Sequence, residues 1–359
     1  MTIKTNITEM FGIKHPIASA AMGPFRTTEL AIAVSEAGGL GMISHAHQSM
    51  DGREATATAA MKKNLDYVVE HTDGIFGFNI RTSRNTVDCD KLISETAKHI
   101  MGNPKLREQC LYALTSAGSA SRMPQNKDFQ KLRDSTQIKH FHVAPALWLA
   151  GKCVAAGCDG LVVTGFEGGG HQAYEKVGGL VLLQQVQQKY PDIPKIACGG
   201  FATGDGMAAA LALGAGGIAM GSRFIASHDS EFHEKYKNVV PPAKAQDTIV
   251  RTGTLGSIRL WRNKYSLSKG LVRTKEEKIA EEKAKGDHQT TISKEELAEE
   301  LRKEAYAAFA VFEGDMENGS VLLGQSIGIV NHLESVSDII ETTIKDAEKA
   351  LRKAISFVD

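Results

Sequence analysis

Residues 195–224 read KIACGGFATGDGMAAALALGAGGIAMGSRF. The stretch carries one full repeat of the pattern that organises the chain. Lys195–Cys198 is a short apolar run, Asp205–Leu213 has helical periodicity and stops at Gly214, and Gly217–Met220 is apolar again. Apolar runs without polar alternation read as strands covered on both faces, and a helix between two of them makes the pair parallel. Each run ends in a glycine turn, Gly199-Gly200 and then Gly221-Ser222. In a parallel α/β fold, such turns sit where ligands bind.

Working outward, the same signal recurs at Pro16–Ala20, Leu40–Ser44, Ile75–Ile80, Leu111–Thr115, Ile138–Val143 and Gly160–Thr164. Helical segments lie between several of them. Thr28–Ala37 stops at Gly38-Gly39, Ala146–Ala156 at Gly157, and Leu180–Tyr190 before Pro191. Eight βα units suit a closed barrel of about 250 residues. The expected fold is therefore α/β, a (β/α)8 TIM barrel with a mainly helical C-terminal extension. An open doubly wound sheet is the competing arrangement, because pattern alone does not prove closure. The reading divides the chain into a barrel core (1–262), a charged helical excursion (263–312) and a segment that packs back on the barrel (313–359). Within the excursion, Lys269–Glu304 is strongly charged and Ser293–Glu296 reads as a capping box. A solvated helical face is the plain reading, and a lid or subunit contact the sharper one. An amphipathic helix is expected near Ser337–Ile355.

Composition narrows the function. Lys plus Arg and Asp plus Glu both number 42, so no net field draws nucleic acid or an anionic membrane. The 5 cysteines lack CxxC spacing, which argues against a disulfide framework or zinc site and for packing residues. The N-terminal residues have no apolar signal-peptide core, and no apolar run reaches the ~20 residues of a membrane span, so a cytoplasmic protein is expected. His45-Ala-His47 and His140-Phe-His142 lack a carboxylate partner, and no metal site is expected.

Chemistry-bearing residues follow the strand runs. Gly165-Phe-Glu-Gly-Gly-Gly-His171 comes directly after the sixth. Its glycines, Gly168 and Gly169 among them, admit close backbone approach, and a histidine there can exchange a proton near neutral pH. Backbone amides around Gly199, Gly200, Gly221 and Ser222, after the seventh and eighth runs, form a phosphate cradle. After the first run, Ala21, Met22 and Gly23 offer a small surface for a flat heterocycle. Asn79, ending the third, offers an amide that both donates and accepts. His142 also points toward this end of the barrel, but strict alternation gives His140 the same face, so either is a candidate lining residue. No GxGxxG, GxSxG or Walker motif is present.

HPIASAAM (15–22), AGGLGMIS (37–44), FGFN (76–79), GFEGGGH (165–171), ACGGFATGDG (197–206) and MGSRF (220–224) occur in this order. In this the chain resembles the nitronate monooxygenases, formerly 2-nitropropane dioxygenases, a family that also holds FMN-dependent enoyl-ACP and enoyl-CoA reductases. The likeness continues through RLWRN (259–263) and GDMENGSVLLGQSIGIV (314–330).

The resemblance implies FMN as cofactor. It puts Ala21, Met22 and Asn79 at the flavin ring, and Gly168, Gly199, Gly200, Gly221 and Ser222 around the ribityl phosphate. His171 matches the catalytic histidine, and Gln325 a GQ pair near the site. His142, Thr164, Gly23 and Gly169 complete the candidate cofactor shell. Departures lie on the substrate side: His142 stands for a common lysine, Thr164 for a common Asp, and Ala173 ends what is otherwise His-x-Gly. The leading expectation is oxidation of an alkyl nitronate with O2 to a carbonyl compound and nitrite. The alternative is NAD(P)H-dependent reduction of an enoyl thioester or quinone. A non-redox phosphate ligand is a third reading. The expected partners are a small-molecule substrate with O2 or NAD(P)H as co-substrate, without nucleic acid or membrane. A homodimer is left open.

Overall fold

A computed structural model describes residues 2–83, 86, 88–253, 256–268 and 306–358. The charged stretch Lys269–Glu304, with its capping box, lies outside the described residues.

In chain order the strands are β1 (Ile17–Ser19), β2 (Gly41–Ile43), β3 (Gln48–Ser49), β4 (Gly52–Arg53), β5 (Phe76–Arg81), β6 (Cys110–Ser116), β7 (Lys139–Ala144), β8 (Gly160–Thr164), β9 (Gly170–His171), β10 (Lys195–Cys198), β11 (Gly217–Met220), β12 (Thr248–Gly253) and β13 (Gly256–Trp261). Eight of them form one parallel sheet in the order β1-β11-β10-β8-β7-β6-β5-β2. The two ends of that sheet meet. Ser19 N–H donates to the Leu40 carbonyl at 3.1 Å and Leu40 N–H to that of Ile17 at 2.9 Å, with Ala18 bridged in parallel to Leu40. The sheet is a closed TIM barrel, and the open doubly wound alternative is ruled out.

Period-2 alternation sorts each strand between two cores. Ala18, Leu40, Met42, Tyr112, Leu114, Phe141, Val162, Ile196 and Ala219 point inward and pack with Ile7 and Phe11. Those two come from the short helix Asn6–Phe11, capped by Thr5 and ended by Gly12 at φ +68°. Phe11 plugs the floor of the barrel, 5.3 Å from the ring centroid of Tyr112 and 5.7 Å from that of Phe141. Gly160 makes room for this packing: a Cβ there would lie 2.2 Å from the Phe141 ring. The opposite faces, such as Phe76, Phe78 and Ile80 on β5, pack against the outer helices.

The expected terminal helix spans Val336–Ile355. It buries Val336, Ile339, Ile340, Thr343, Ile344 and Ala347, an i, i+3, i+4 stripe. Gly204, at the start of helix Gly204–Ala212, lets it lie close, since a Cβ there would come within 2.4 Å of the Ala347 amide nitrogen. Among the described residues no helix is long and apolar enough to cross a membrane. The five cysteines are free thiols.

Candidate active site

With the barrel floor plugged, the C-terminal strand ends open into a cavity of about 2240 Å³. Ala21, Met22, Gly23, Asn79, Thr164, Gly168, Gly169, His171, Gly199, Gly200, Gly221 and Ser222 all line it. Residues scattered over 200 positions of sequence thus share one chamber because parallel strands carry their ends to the same side.

The local chemistry explains why each turn holds its shape. After β1, Met22 N–H donates to Ser44 Oγ at 2.8 Å, while Ser44 N–H donates to Thr27 Oγ1 at 2.9 Å. Thr27 Oγ1 donates in turn to the Met42 carbonyl at 2.8 Å, so three neighbouring segments share one hydroxyl chain. Asn79 is buried, and its Nδ2 donates to the Leu114 carbonyl at 3.1 Å and to Ser116 Oγ at 3.2 Å, which fixes the amide plane at the cavity wall. Gly199 and Gly200 both have positive φ, +84° and +90°, and a Cβ on Gly199 would sit 2.7 Å from the Gly165 carbonyl oxygen. Ser222 Oγ accepts from Gly324 N–H at 2.9 Å and so ties the β11 turn to the C-terminal segment.

The glycine loop after β8 is clamped from several sides. Glu167 accepts twice from Gly179 N–H, at 3.0 and 2.8 Å, at the start of helix Gly179–Lys189. Buried Gln172 donates to the Gly168 carbonyl at 2.6 Å. Arg259, on β13, donates to the Phe166 carbonyl through Nε and Nη2, at 3.2 and 2.9 Å, and its guanidinium lies 4.8 Å from the Phe166 ring centroid. His171 itself lies on β9, in an antiparallel sheet ordered β12-β13-β9. None of this sheet emerged from the sequence reading, although Arg259 opens the RLWRN phrase.

Two expected residues fall elsewhere. His142 does not line the cavity, which corrects the reading of it as a pocket residue. On β7 the inward positions are Phe141 and Val143, so His140 and His142 both turn toward the helices. Each is fully buried there and meets Thr115 Oγ1, at 2.7 and 2.6 Å. Burial holds the His140 pKa down at about 3 and that of His142 at about 4. Gln325 is the second correction. Its backbone N–H donates to the Glu167 carbonyl at 2.8 Å, while its neighbours Gly324 and Ser326 are the ones that line the cavity.

Other lining residues went unmarked in sequence. His45 and His47 were set aside for lack of a carboxylate, and Arg81 follows Asn79 on β5. All three line the cavity. His45 Nδ1 accepts from Arg81 N–H at 3.0 Å, and burial, with the Arg81 charge nearby, lowers its pKa to about 3. Arg223, by contrast, leaves the site: it ion-pairs with Glu334 and donates to the Ala226 carbonyl at 3.2 Å.

The nitronate monooxygenase family model matches residues 4–346. The chain belongs to the nitronate monooxygenase family. It is an oxidoreductase of that family. A dehydrogenase of Rhodococcus jostii strain RHA1, whose name gives a hydroxy-methyl-oxo-octahydroindene-carboxyl-CoA as substrate, is 28% identical over 378 residues, 98% of this chain and 97% of the relative. A probable nitronate monooxygenase of Staphylococcus saprophyticus is 28% identical over 284 residues, 70% of this chain and 76% of the relative. The solved structure of FabK from Thermotoga maritima covers 99% of this chain and 100% of its own at a TM-score of 0.78 and 30% identity.

Proposed function

We propose that this member of the nitronate monooxygenase family is an FMN-dependent oxidoreductase that reduces an enoyl thioester with NAD(P)H. The observation that carries this is the size of the chamber beside His171. Drug-sized ligand pockets run to about 1,000 Å³, and this cavity is about 2240 Å³. A flavin with a small nitronate leaves much of that unused, whereas a flavin with a long thioester arm fills it. The carboxyl-CoA dehydrogenase, named for a CoA thioester, matches this chain along nearly its full length, as does FabK.

The residues fit FMN. Gly199, Gly200, Gly221 and Ser222 supply backbone around a phosphate, and Ala21, Met22 and Asn79 flank a flat ring. Ser19 Oγ and Ser257 Oγ, in the same lining, are buried without hydrogen-bond partners among the described residues, as expected of groups that meet a polar ligand. Bound there, FMN supplies the two-electron transfer between nicotinamide and the substrate β-carbon. His171 supplies the proton that the α-carbon takes up, and its ring hydrogen-bonds the thioester carbonyl. Gln172 and Arg259 hold its loop in register with the ring.

A second reading rests on the donor-rich wall. His45, His47, Arg81 and His171 face the cavity, and that set suits an anionic nitronate as well. Anaerobic spectra separate the two. The proposal expects NADH or NADPH to bleach the flavin bands and crotonyl-CoA to restore them, with steady NAD(P)H consumption. Bleaching by propyl nitronate without any nicotinamide oxidation on crotonyl-CoA would replace it with nitronate oxidation.

A further inference from the structure

Arg81 is a half-buried cation on the cavity wall, with no counter-charge among the described residues. Its Nε is buried and has no hydrogen-bond partner. No described acidic side chain pairs with it, and burial alone, unopposed by any carboxylate, lowers its pKa. Its neighbours add donors and no negative charge. His45 already accepts from the Arg81 amide at Nδ1, so its remaining proton sits on Nε2. His47 is exposed at the cavity rim, and desolvation, with the Arg53 and Arg81 charges nearby, lowers its pKa. Taking part of a guanidinium out of water without a partner is unfavourable. A site that keeps one is built for an anion that arrives with the ligand.

Position decides which part of the ligand. Asn79 and Arg81 are on the inward face of β5, two residues and about 7 Å apart along the strand, with Arg81 nearer the mouth. Around the barrel, β5 stands opposite β10, whose Gly199-Gly200 turn belongs to the phosphate cradle. With the flavin ring at the level of Asn79, Arg81 lies one layer above it and on the far side from the phosphate. That layer belongs to the substrate.

We infer that Arg81, with His45 and His47, forms a substrate subsite that takes a planar two-oxygen anion, a carboxylate or a nitronate, beside the reacting atoms. A guanidinium fork matches such an anion with two parallel hydrogen bonds, which a lysine ammonium cannot do. Under the thioester reading, the subsite selects acyl chains that carry a carboxylate. Under the nitronate reading, it seats the substrate itself. The inference uses FMN only as a reporter and does not depend on thioester turnover.

The test is binding to the FMN-loaded protein, read from the visible difference spectrum. Propionate, its neutral isostere propionamide, and propyl nitronate under anaerobic conditions are titrated into wild type, Arg81→Lys and Arg81→Met. Propionate is expected to perturb the flavin bands saturably and propionamide not to. Arg81→Met is expected to raise the propionate Kd at least tenfold at unchanged FMN content, with Arg81→Lys in between. Dependence for the nitronate alone assigns the anion to that source, and dependence for both assigns it to the two-oxygen group in general. Equal Kd values in all three proteins overturn the inference. So does loss of FMN by both variants with unchanged melting temperatures, which would move Arg81 to the cofactor site.

Discussion

His171 stands directly opposite Ile258 in an antiparallel ladder, and the next residue, Gln172, donates its amide to the Ser257 carbonyl at 2.8 Å. The histidine marked for chemistry is therefore held on a strand and not on a free loop. Its main chain is fixed by β13, and the glycines before it bring it to the cavity wall. His171→Ala should retain FMN and the native melting temperature while kcat falls about 10²- to 10⁴-fold, the usual weight of a general acid. Stopped-flow absorbance separates this from a nicotinamide defect: flavin reduction by NAD(P)H should be near normal and the step with substrate slow. Wild-type turnover in this variant would remove His171 from the reaction.

Arg259 acts on the same loop from a distance. It is buried, and its two bonds to the Phe166 carbonyl have no replacement if the side chain is cut back. Arg259→Met should cost about 3 kcal/mol, the range for losing a buried charge-assisted bond and orphaning its acceptor. Urea unfolding measures that loss. FMN affinity should fall with it, because Phe166 lies within the Gly165–Gly169 turn. An unchanged urea midpoint would show that the clamp is incidental.

These two residues show what the sequence could and could not reveal. The barrel was legible because buried parallel strands are written as short apolar runs with glycine stops, and those signals are local. The glycine turns and His171 were legible for the same reason, each lying next to a strand end. What was lost depends on distant partners. The β12-β13-β9 sheet joins residues nearly 90 positions apart, and β9 has only two residues, too few for any periodicity. His142 was misplaced because alternation along β7 fixes only that it shares a face with His140, and which face is inward depends on Phe141 meeting Phe11 of the floor helix and Tyr112 of the neighbouring β6. His45 and Arg81 carry no motif: their meaning comes from the lack of a paired carboxylate among the described residues, which only three dimensions can show.

Acid should destabilise the fold through histidines remote from the cavity as well as within it. Burial holds His45 and His140 at about 3 and His142 at about 4, against 6.5 for an unperturbed imidazole. The unfolded chain thus binds more protons between these values. The stability that each neutral ring contributes is complete above pH 6.5 and is lost as the pH falls toward 3 or 4. From pH 7 to pH 5 each ring costs about 2 kcal/mol. His142→Leu should shrink the difference in urea stability between pH 7 and pH 5 by about that amount, whatever it does to stability at pH 7. An identical difference in the variant would show that this ring does not titrate with unfolding.

The two glycine turns of the cradle should respond differently to the same added methyl group. At Gly199 the backbone is left-handed, and a Cβ would sit 2.7 Å from the Gly165 carbonyl oxygen. Gly199→Ala therefore meets strain and a clash with main chain, and should lose on the order of 1–3 kcal/mol of stability together with FMN. At Gly221 the φ is −105°, and the nearest atoms to a Cβ are Ala20 Cβ at 3.6 Å and Met22 Sδ at 3.9 Å, ordinary contact distances. The protein itself has room for Gly221→Ala, so its melting temperature without FMN should match wild type. Any loss then reports on the ligand, because the new methyl group occupies space between the β1 and β11 turns. Fluorescence titration of the apoprotein with FMN should show Kd rising tenfold or more. Unchanged affinity would move the phosphate away from the β11 turn and leave Gly199-Gly200 to carry it.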